Sequence, residues 1–514
     1  MKLLSVFAAT ALYSVAVMAA ENSSSSLDSK LEPGRVIFEQ HCAACHGTTG
    51  DGKGPASVWL FPRPRNFSAG FFKIKSTPGV TLPADEDLFR TVTRGMPGSS
   101  MPSFTYLSEQ QRRDVVQYVK YLTAYTDKSG KRINHFEQAA TTGRLGKPIT
   151  IPPEPPISVA TMASGQALYT KMGCMMCHGE TGAGDGPQAP TLKDTEGFYL
   201  PPRDFNNGSF RGGHEGADLY TRIFTGIPGT PMPPFGEDLM KPEDRWALVH
   251  YVQSLRRKDV EINDILDPAD RVIRVAKVKK LPTDPMDSAW ENMDPVRVRL
   301  NPIWPEPDPI PAVAVNAVHD GKRIAILCQW RDAIVNGAPV RVQDFQDAVA
   351  LQFSMNGTTP FLGMGDRNNP VNIWKWNAGW QEEIDDHRPD MHDLYASMHV
   401  DVYLNTNALY RTAEAAGNIN SQSHKSPVED ANAHGFGTFA SQPMSEQNVN
   451  GKGIWHDGFW NVVFVRELKS KDADDVKLAV AKTVPVAFAV WNGQQRDRNG
   501  RKVVSNWYQL YLTE

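Results

Sequence analysis

The fold of the N-terminal half is decided by two copies of one short pattern, Cys42-Ala43-Ala44-Cys45-His46 and Cys174-Met175-Met176-Cys177-His178. Cys-x-x-Cys-His is the attachment signature of a c-type haem. Two thiols on a short helix can bond the porphyrin vinyl groups, and the adjacent imidazole then lies under the iron as its proximal ligand. Zinc knuckles and thioredoxin-like pairs share only the Cys-x-x-Cys part, whereas both pairs here are followed by His and then Gly. The pattern therefore predicts two covalent haems c, bonded to Cys42, Cys45, Cys174 and Cys177, with His46 and His178 on the irons.

The second axial ligand of each iron is expected to be a methionine, the ligand that raises the reduction potential of a haem. Residues 95–104 (GMPGSSMPSF) align without gaps on residues 226–235 (GIPGTPMPPF). In this alignment Met101 faces Met232, whereas Met96 faces an isoleucine. Methionine also fills gaps in ordinary cores, but the matched position in both copies predicts Met101 and Met232 as distal ligands.

The similarity of the two copies extends beyond the ligands, as expected for an internal duplication. Apolar residues recur at helical spacing before each attachment site and again after each methionine loop, which predicts an opening helix packed on a terminal helix. Ser108 and Gln111 form a capping-box pattern at the start of the first terminal helix. Arg65 and Arg203 also correspond. A buried haem propionate would suit either guanidinium, because its fork matches a carboxylate; a plain surface arginine is the alternative.

These motifs resemble the class I, mono-haem cytochrome c family, here in tandem. The resemblance covers residues 30–125 and 160–257 and implies two all-α domains. The segment between them, residues 126–159, is rich in proline and is predicted to be a stiff linker.

Composition and the N-terminus indicate the class of protein and its compartment. The chain has 514 residues, 40% of them hydrophobic and 22% charged, which suffices for about three ordinary domains. Its formal net charge of -4 and the lack of basic runs give no electrostatic case for a nucleic-acid partner. Residues 1–20 are typical of a secretory signal peptide, with a membrane anchor as the alternative. We therefore expect an exported, periplasmic protein with no transmembrane span after cleavage.

The C-terminal half differs in its pattern, with short apolar runs separated by Gly, Asn and Asp. Such runs are typical of an all-β unit. Candidate strands are residues 323–330, 348–354, 460–467, 484–491 and 503–512. We expect a β-sandwich over residues 311–514, after a linker at 258–310. The predicted fold class is thus multidomain, with two all-α cytochrome c domains followed by an all-β sandwich domain.

Several phrases in this half are similar to the haem-binding γ subunit of ethylbenzene dehydrogenase and its relatives. They are residues 347–353 (DAVALQF), 364–366 (MGD), 370–374 (PVNIW), 486–493 (VAFAVWNG) and 499–502 (NGRK). The resemblance implies one non-covalent haem b between a Met and a Lys, which by position are Met364 and Lys502. Lysine must lose its proton to bind iron, which burial promotes. Taken alone, these residues would be a core filler and a solvated charge; Met355 and Lys482 are the fallback candidates.

Two features of this half fit no motif. Residues 378–453 are a polar insertion rich in Asn and His. A solvated or partner-binding loop is favoured there over a metal site, because the histidine spacing matches no ligand template. Cys328 lies in an apolar run and is expected to be a small buried hydrophobe on a strand.

Together these features predict a multihaem electron-transfer protein that is not catalytic by itself, because iron with both axial positions filled has no open site for substrate. It would relay electrons between an oxidoreductase partner and a small carrier such as a soluble cytochrome. The resemblance implies a molybdopterin catalytic subunit and an iron–sulfur subunit of the dimethyl sulfoxide reductase class, as in nitrite oxidoreductase. Two alternatives stay open. One is a haem enzyme such as a peroxidase or small-oxyanion reductase, and the other is a dihaem cytochrome c fused to a haem-free binding domain.

Overall fold

The computed structural model describes residues 29–258, 260, 271–395, 397 and 412–514, so the predicted signal peptide lies outside the described residues. Domain 1, the first cytochrome-like unit, contains α1 (Glu32–His41), α2 (Ala43–His46), α3 (Asp85–Arg94) and α4 (Glu109–Tyr121). The predicted capping box starts α4: Ser108 Oγ accepts from the Gln111 N–H at 3.2 Å, and Gln111 Oε1 accepts from the Ser108 N–H at 2.9 Å. In the core, fully buried Phe38 of α1 packs on Tyr118 of α4, which joins the opening helix to the terminal one.

The segment after α4 differs from the predicted linker. It forms a hairpin of β1 (Ala124–Thr126) and β2 (Arg132–Asn134), followed by α5 (His135–Thr142). Phe136 of α5 is buried in the core of domain 1, 6.0 Å from the ring of Phe72. The stretch without helix or strand is therefore residues 143–158, which is shorter than the predicted 126–159.

Domain 2 repeats the architecture of domain 1 with α6 (Val159–Lys171), α7 (Met175–His178), α8 (Gly216–Thr225) and α9 (Pro242–Ser254). The opening and terminal helices cross at a glycine in both domains. A Cβ on Gly34 would collide with the carbonyl of Asp114, and a Cβ on Gly165 would collide with that of Ala247. Only glycine permits this approach of backbone to backbone, so the crossing is a second mark of the duplication.

The sandwich is built from fourteen strands among the described residues. They are β3 (Val272–Lys277), β4 (Val296–Arg299), β5 (Asn301–Pro302), β6 (Ala312–His319), β7 (Arg323–Arg331), β8 (Ala348–Ser354), β9 (Val371–Asn377), β10 (Val428–Ala433), β11 (Ala440–Ser441), β12 (Asn450–His456), β13 (Phe459–Glu467), β14 (Thr483–Trp491), β15 (Val503–Val504) and β16 (Tyr508–Leu512). Short helices α10 (Ala378–Asp385), α11 (Met391–Leu394) and α12 (Thr412–Ala415) follow β9.

Strand β3 joins two layers of this sheet. The order is β11-β10-β9-β8-β14-β16-β3-β6-β7-β13-β12, and β3 pairs in parallel with β16 through its first residues and with β6 through its last two. The layers face each other across a tryptophan cluster in which Trp376 of β9 lies 4.8 Å from Trp460 of β13 and 6.3 Å from Trp330 of β7. The predicted fold class, two helical domains followed by a β-sandwich, is confirmed.

The sandwich is larger than the sequence pattern predicts. The predicted linker 258–310 supplies β3, β4 and β5, and the predicted insertion 378–453 supplies β10, β11 and part of β12. Strand β10 (VEDANA) carries acids and asparagine instead of an apolar alternation. Its Asp430 is buried and accepts a hydrogen bond from Asn372 at 2.6 Å, so polar pairing takes the place of apolar packing.

Domain 1 contacts both of the other units. Asp218 of domain 2 accepts hydrogen bonds from Arg90 at 2.8 Å and Arg94 at 3.0 Å, both on α3. On the sandwich side, Asn301 of β5 accepts from the Gly98 N–H at 3.0 Å. Within the described residues, no helix combines the length and the apolar composition needed to cross a bilayer.

Candidate haem sites

The first attachment site occupies the junction of α1 and α2. The Cys42 N–H donates to Phe38 O and the His46 N–H donates to Cys42 O, which keeps both thiols and the imidazole on one helical turn. His46 Nδ1 lies 3.1 Å from the Arg65 carbonyl oxygen. A carbonyl oxygen can only accept, so Nδ1 carries the proton and Nε2 is left to bind iron. The ring also stacks on Phe67 at 4.7 Å, and burial lowers the pKa of His46.

The second site reproduces this geometry. His178 Nδ1 donates to the carbonyl oxygen of Arg203 at 3.1 Å, and the imidazole stacks on Phe205 at 4.4 Å. Burial lowers the pKa of His178 as well. Both domains thus hold a neutral imidazole in a fixed orientation, which is the arrangement expected of a proximal haem ligand.

The two methionine loops also share one backbone conformation. The Met96 N–H donates to Met101 O at 3.1 Å, and the Ile227 N–H donates to Met232 O at 3.2 Å. Each loop opens on a glycine with positive φ, Gly95 at 69° and Gly226 at 64°. Met101 therefore occupies in domain 1 the position that Met232 occupies in domain 2.

Arg65 and Arg203 reach across the boundary between the two domains. A Cβ on Gly229 of domain 2 would lie 3.3 Å from Arg65 Nη1. Conversely, Arg203 donates to the carbonyl oxygen of Gly98 in domain 1 at 3.4 Å. Gly98 and Gly229 are equivalent positions of the two methionine loops, so each arginine lies against the loop of the other domain.

These arginines belong to a half-buried cationic cluster, defined as Lys73, Arg65, Arg203 and Arg211. Burial lowers the pKa of all four, to about 8 for Lys73, about 9 for Arg203 and about 10 for Arg211. Arg65 Nε and Nη2 and Arg211 Nε are buried without a hydrogen-bond partner among the described residues. Arg65 Nη1 already lies 3.7 Å from Glu196 Oε1. The guanidinium nitrogens that are buried without acceptors are suited to anionic groups such as haem propionates.

A cavity of about 800 Å³ connects domain 1 with the sandwich. On the domain 1 side it is lined by both cysteines of the first attachment site, by His46 and by Met101. On the sandwich side it is lined by Met364, Trp491 and Lys502. The predicted ligands of the first haem c and of haem b therefore face one continuous space.

The sandwich wall of this cavity is the outer face of the β9-β8-β14 sheet. Along β8 and β14 the inward residues are large and fully buried, as with Leu351 and Val490. At the centre of this face the outward residues are small, with Ala350 paired to Ala489 and Ala487 next to them, whereas the larger Gln352 and Trp491 also face the cavity. Alternation in a strand sends these two sets to opposite faces. The result is a shallow apolar platform on which a flat macrocycle fits.

Met364 and Lys502 border the platform. Met364 has a φ of 72°, a strained conformation for a residue with a side chain, and such strain is often kept at binding sites. Lys502 Nζ lies 4.5 Å from the centre of the Trp491 ring, and burial lowers the pKa of this lysine to about 8. The fallback candidates Met355 and Lys482 are not among the described residues that line the cavity.

Sequence reasoning missed a second lysine in the cavity. Lys375 of β9 lies 4.0 Å from Glu429 and 5.5 Å from the Trp491 ring centre, and burial lowers its pKa. The signal was a single lysine between Trp374 and Trp376, in a strand whose other polar residues are two asparagines.

Three histidines of the predicted insertion have local side-chain partners, namely His387, His392 and His424. His424 stacks on Trp380 at 3.7 Å and contacts Glu383 at 2.9 Å. No group of three or more potential metal ligands occurs in the described part of the chain. Cys328 is fully buried on β7.

Comparison with known proteins matches both halves of the chain to families. A cytochrome c family model matches residues 31–123 and 162–256, and an ethylbenzene dehydrogenase family model matches residues 287–503. A putative respiratory nitrate reductase heme subunit of Haloferax mediterranei is 28% identical over 44% of this chain and 67% of its own length. The chlorate reductase subunit gamma of Ideonella dechloratans is 27% identical over 47% of this chain and 85% of its own length.

Among solved structures, one chain of the Kuenenia stuttgartiensis reducing HAO-like protein complex is 36% identical. The similarity covers 44% of this chain and 96% of that chain, with a TM-score of 0.40. The two family matches fall on the two helical domains and on the sandwich, where the candidate haem ligands lie. The chain therefore belongs to the cytochrome c family in its two N-terminal domains and to the ethylbenzene dehydrogenase family in its C-terminal domain.

Proposed function

We propose that this protein is a three-haem electron-transfer subunit that relays electrons between an oxidoreductase partner and a small redox carrier. The observation that carries the proposal is the continuous cavity between domain 1 and the sandwich, which has candidate iron ligands on both walls. Haem, when bound, supplies reversible one-electron chemistry, and the protein supplies ligation, burial and spacing.

The residues assigned to each group follow from the two repeated sites and the platform. His46 and Met101 would hold the first haem c iron, and His178 and Met232 the second, with the four cysteines on the porphyrins. Met364 and Lys502 would hold haem b. The matching geometry of the two histidines and of the two methionine loops supports the first two sets.

Arg65 and Arg203 are proposed to bind haem propionates. Arg65 has two buried nitrogen atoms with no acceptor among the described residues. A carboxylate beside them would offset the cost of burying the guanidinium. Arg211 Nε is also buried without an acceptor among the described residues, so Arg211 is a third candidate donor to a propionate.

The proposed partners are a molybdopterin catalytic subunit and an iron–sulfur subunit. The support is that similar proteins are a nitrate reductase heme subunit and a chlorate reductase gamma subunit. We also propose export to the periplasm, based on the signal-like residues 1–20. Covalent haem attachment fits that compartment.

Ligand-binding spectra test the relay against a haem enzyme. If all three irons carry two axial side chains, carbon monoxide will leave the spectrum of the reduced protein unchanged, and cyanide that of the oxidised protein. A peroxidase or oxyanion reductase has an open iron position, so its spectrum would shift at once. Such a shift in the wild-type protein would overturn the proposal.

A further inference from the structure

We propose that domain 1 is the middle member of the relay, so that electrons pass between the sandwich site and domain 2 only through domain 1. The inference rests on the proposed function and goes beyond it, because it fixes which site exchanges electrons with which. Along the chain the order is domain 1, domain 2, sandwich. From sequence order alone, domain 2 would be expected to exchange electrons with the sandwich.

The first argument is the composition of the shared cavity. One wall comes from domain 1 and includes His46 and Met101. The other wall comes from the sandwich and includes Met364 and Lys502. None of the described residues lining it belongs to 159–258. The first haem c site and the haem b site are therefore not separated by a protein layer, whereas no described residue of the second haem c site lines this cavity.

The second argument is that the sandwich holds the methionine loop of domain 1. Asn301 accepts from the Gly98 N–H at 3.0 Å, and Asn506 accepts from the Ser103 N–H at 3.0 Å. These contacts bracket Met101. In domain 2 the position of Ser103 is taken by Pro234, which has no N–H to donate.

A β-bulge presents Asn506 for this contact. Val504 pairs with Ala489 and Tyr508 pairs with Val486, so three residues of one strand face two of the other. An extra residue of this kind bends the strand and redirects a side chain. The bulge thus connects the platform strand β14 to the methionine loop of domain 1.

The third argument is one side chain that belongs to both walls. Tyr106 packs with the core of domain 1 and also with the apolar cluster of the sandwich that includes Met364 and Ala489. Its hydroxyl lies 3.2 Å from His41 Nδ1, at the end of α1 beside the first attachment site. The two sites are therefore joined by one continuous packed contact.

Domain 2 contacts domain 1 at the methionine loops, and it also contacts the sandwich, where Arg299 of β4 donates to Ser209 Oγ at 3.3 Å and Arg257 donates to Asp308 at 3.2 Å. Those contacts with the sandwich lie outside the shared cavity. Arg65 and Arg203 reach across the boundary between domains 1 and 2, and Asp218 fixes α8 to α3. Met176, between the two cysteines of the second attachment site, is 39% exposed. This places the second haem c site at the outer end of the relay, where a carrier can approach.

The proposed step is an outer-sphere transfer of one electron in either direction. With the haems bound, the iron that Met364 and Lys502 would hold would change oxidation state by one, the iron that His46 and Met101 would hold would change by one in the opposite sense, and no bond would form or break. A second such transfer would link the iron of the His46–Met101 site to the iron of the His178–Met232 site. The external donor in the test is a photoexcited dye.

The test uses the full three-haem protein and two matched variants, Met101→His and Met232→His. A histidine in place of the methionine lowers the potential of that iron, and each 59 mV reduces its electron occupancy about tenfold. Haem b is reduced by a light pulse, and the remaining methionine-ligated haem c is followed by its absorbance. We expect electron arrival at domain 2 to slow at least about tenfold in Met101→His. In Met232→His, arrival at domain 1 should keep the wild-type rate.

Arrival at domain 2 at the wild-type rate in Met101→His would overturn the order. The double variant Asn301→Ala/Asn506→Ala retains every ligand, and it should slow only the step between the sandwich and domain 1. As an independent measurement, electron paramagnetic resonance of the oxidised protein should show spin coupling of haem b with the domain 1 iron. Coupling of haem b with the domain 2 iron instead would refute the inference while leaving the proposed function intact. Absence of haem b from the purified protein would refute the proposed function itself.

Discussion

Asp218→Asn tests the contact that orients domain 2 on domain 1. The Asp218 side chain is only 9% exposed, and it accepts from Arg94, which is 27% exposed, and from Arg90, which is 52% exposed. Asparagine keeps the shape of the side chain and one acceptor oxygen but removes the negative charge. The half-buried Arg94 then loses its ion pair.

The two ion pairs contribute unequally to the docking free energy. A hydrogen bond to a charged group that is mostly buried contributes roughly 1.5–3 kcal/mol. An exposed pair such as Arg90–Asp218 contributes about 0–1 kcal/mol. Because asparagine still accepts one bond, we expect the docking free energy to fall by about 2 kcal/mol. For the two helical domains taken as one unit, this loss corresponds to a decrease of roughly 4–8 °C in Tm.

The assay is thermal unfolding of the haem-loaded protein, followed by the absorbance of the haems c. Asp85→Asn is the matched control, because Asp85 is 53% exposed and pairs with Lys120 within domain 1. The control should lose no more free energy than a surface ion pair contributes, about 1 kcal/mol, so its Tm should fall by less than that of Asp218→Asn. Equal Tm values for Asp218→Asn and Asp85→Asn would refute the view that Asp218 locks the two domains together.

Three further predictions address the sites and the core. Met101→Ala or Met232→Ala should each open one iron, so the reduced variant binds one carbon monoxide per chain in a gas titration; no binding would show that the methionine is not a ligand. Ala489→Phe should fill the platform and exclude haem b, so acid–acetone extraction yields no b haem while both haems c stay on the chain; retention of haem b would contradict the platform. Leu351→Ala removes a fully buried side chain and should destabilise the sandwich by about 2–5 kcal/mol. Urea unfolding, followed by tryptophan fluorescence, measures this change in stability. Val342 is almost fully exposed, so the control variant Val342→Ala should stay within about 0.5 kcal/mol of the wild-type stability.

The parts of the fold that were predictable from sequence are those with a strong local signal. The capping box at Ser108 starts α4 where expected, and the candidate strand 348–354 coincides with β8. The apolar run at 484–491 forms β14, which begins one residue earlier, at Thr483. Each of these elements has a local side-chain pattern that is typical of a helix or of a strand.

The parts that were not predictable depend on distant partners. Candidate strand 503–512 divides into β15 and β16, because the Ser505 N–H donates to Phe488 O and Ser505 Oγ accepts from the Phe488 N–H, and this bulge needs its opposite strand to form. Strand β3 is paired through parallel neighbours far away in sequence, so its segment has the pattern of a linker.

The candidate sites show the same division. Cysteines and histidines of the haem c sites are defined by a five-residue motif. The contact of domain 1 with the sandwich depends on Asn301 and Asn506, two ordinary asparagines until the fold brings them to Gly98 and Ser103. Side chains that act through docking leave no local pattern in the sequence.

The most direct test of the three-haem account is a haem inventory of the mature protein. Acid–acetone treatment separates non-covalent haem from the chain, and pyridine haemochrome spectra of both fractions identify each type. The account predicts two haems c retained on the polypeptide and one haem b in the extract. Two haems c with no haem b would leave a dihaem cytochrome on a haem-free binding domain, and a polypeptide without covalent haem would contradict the account entirely.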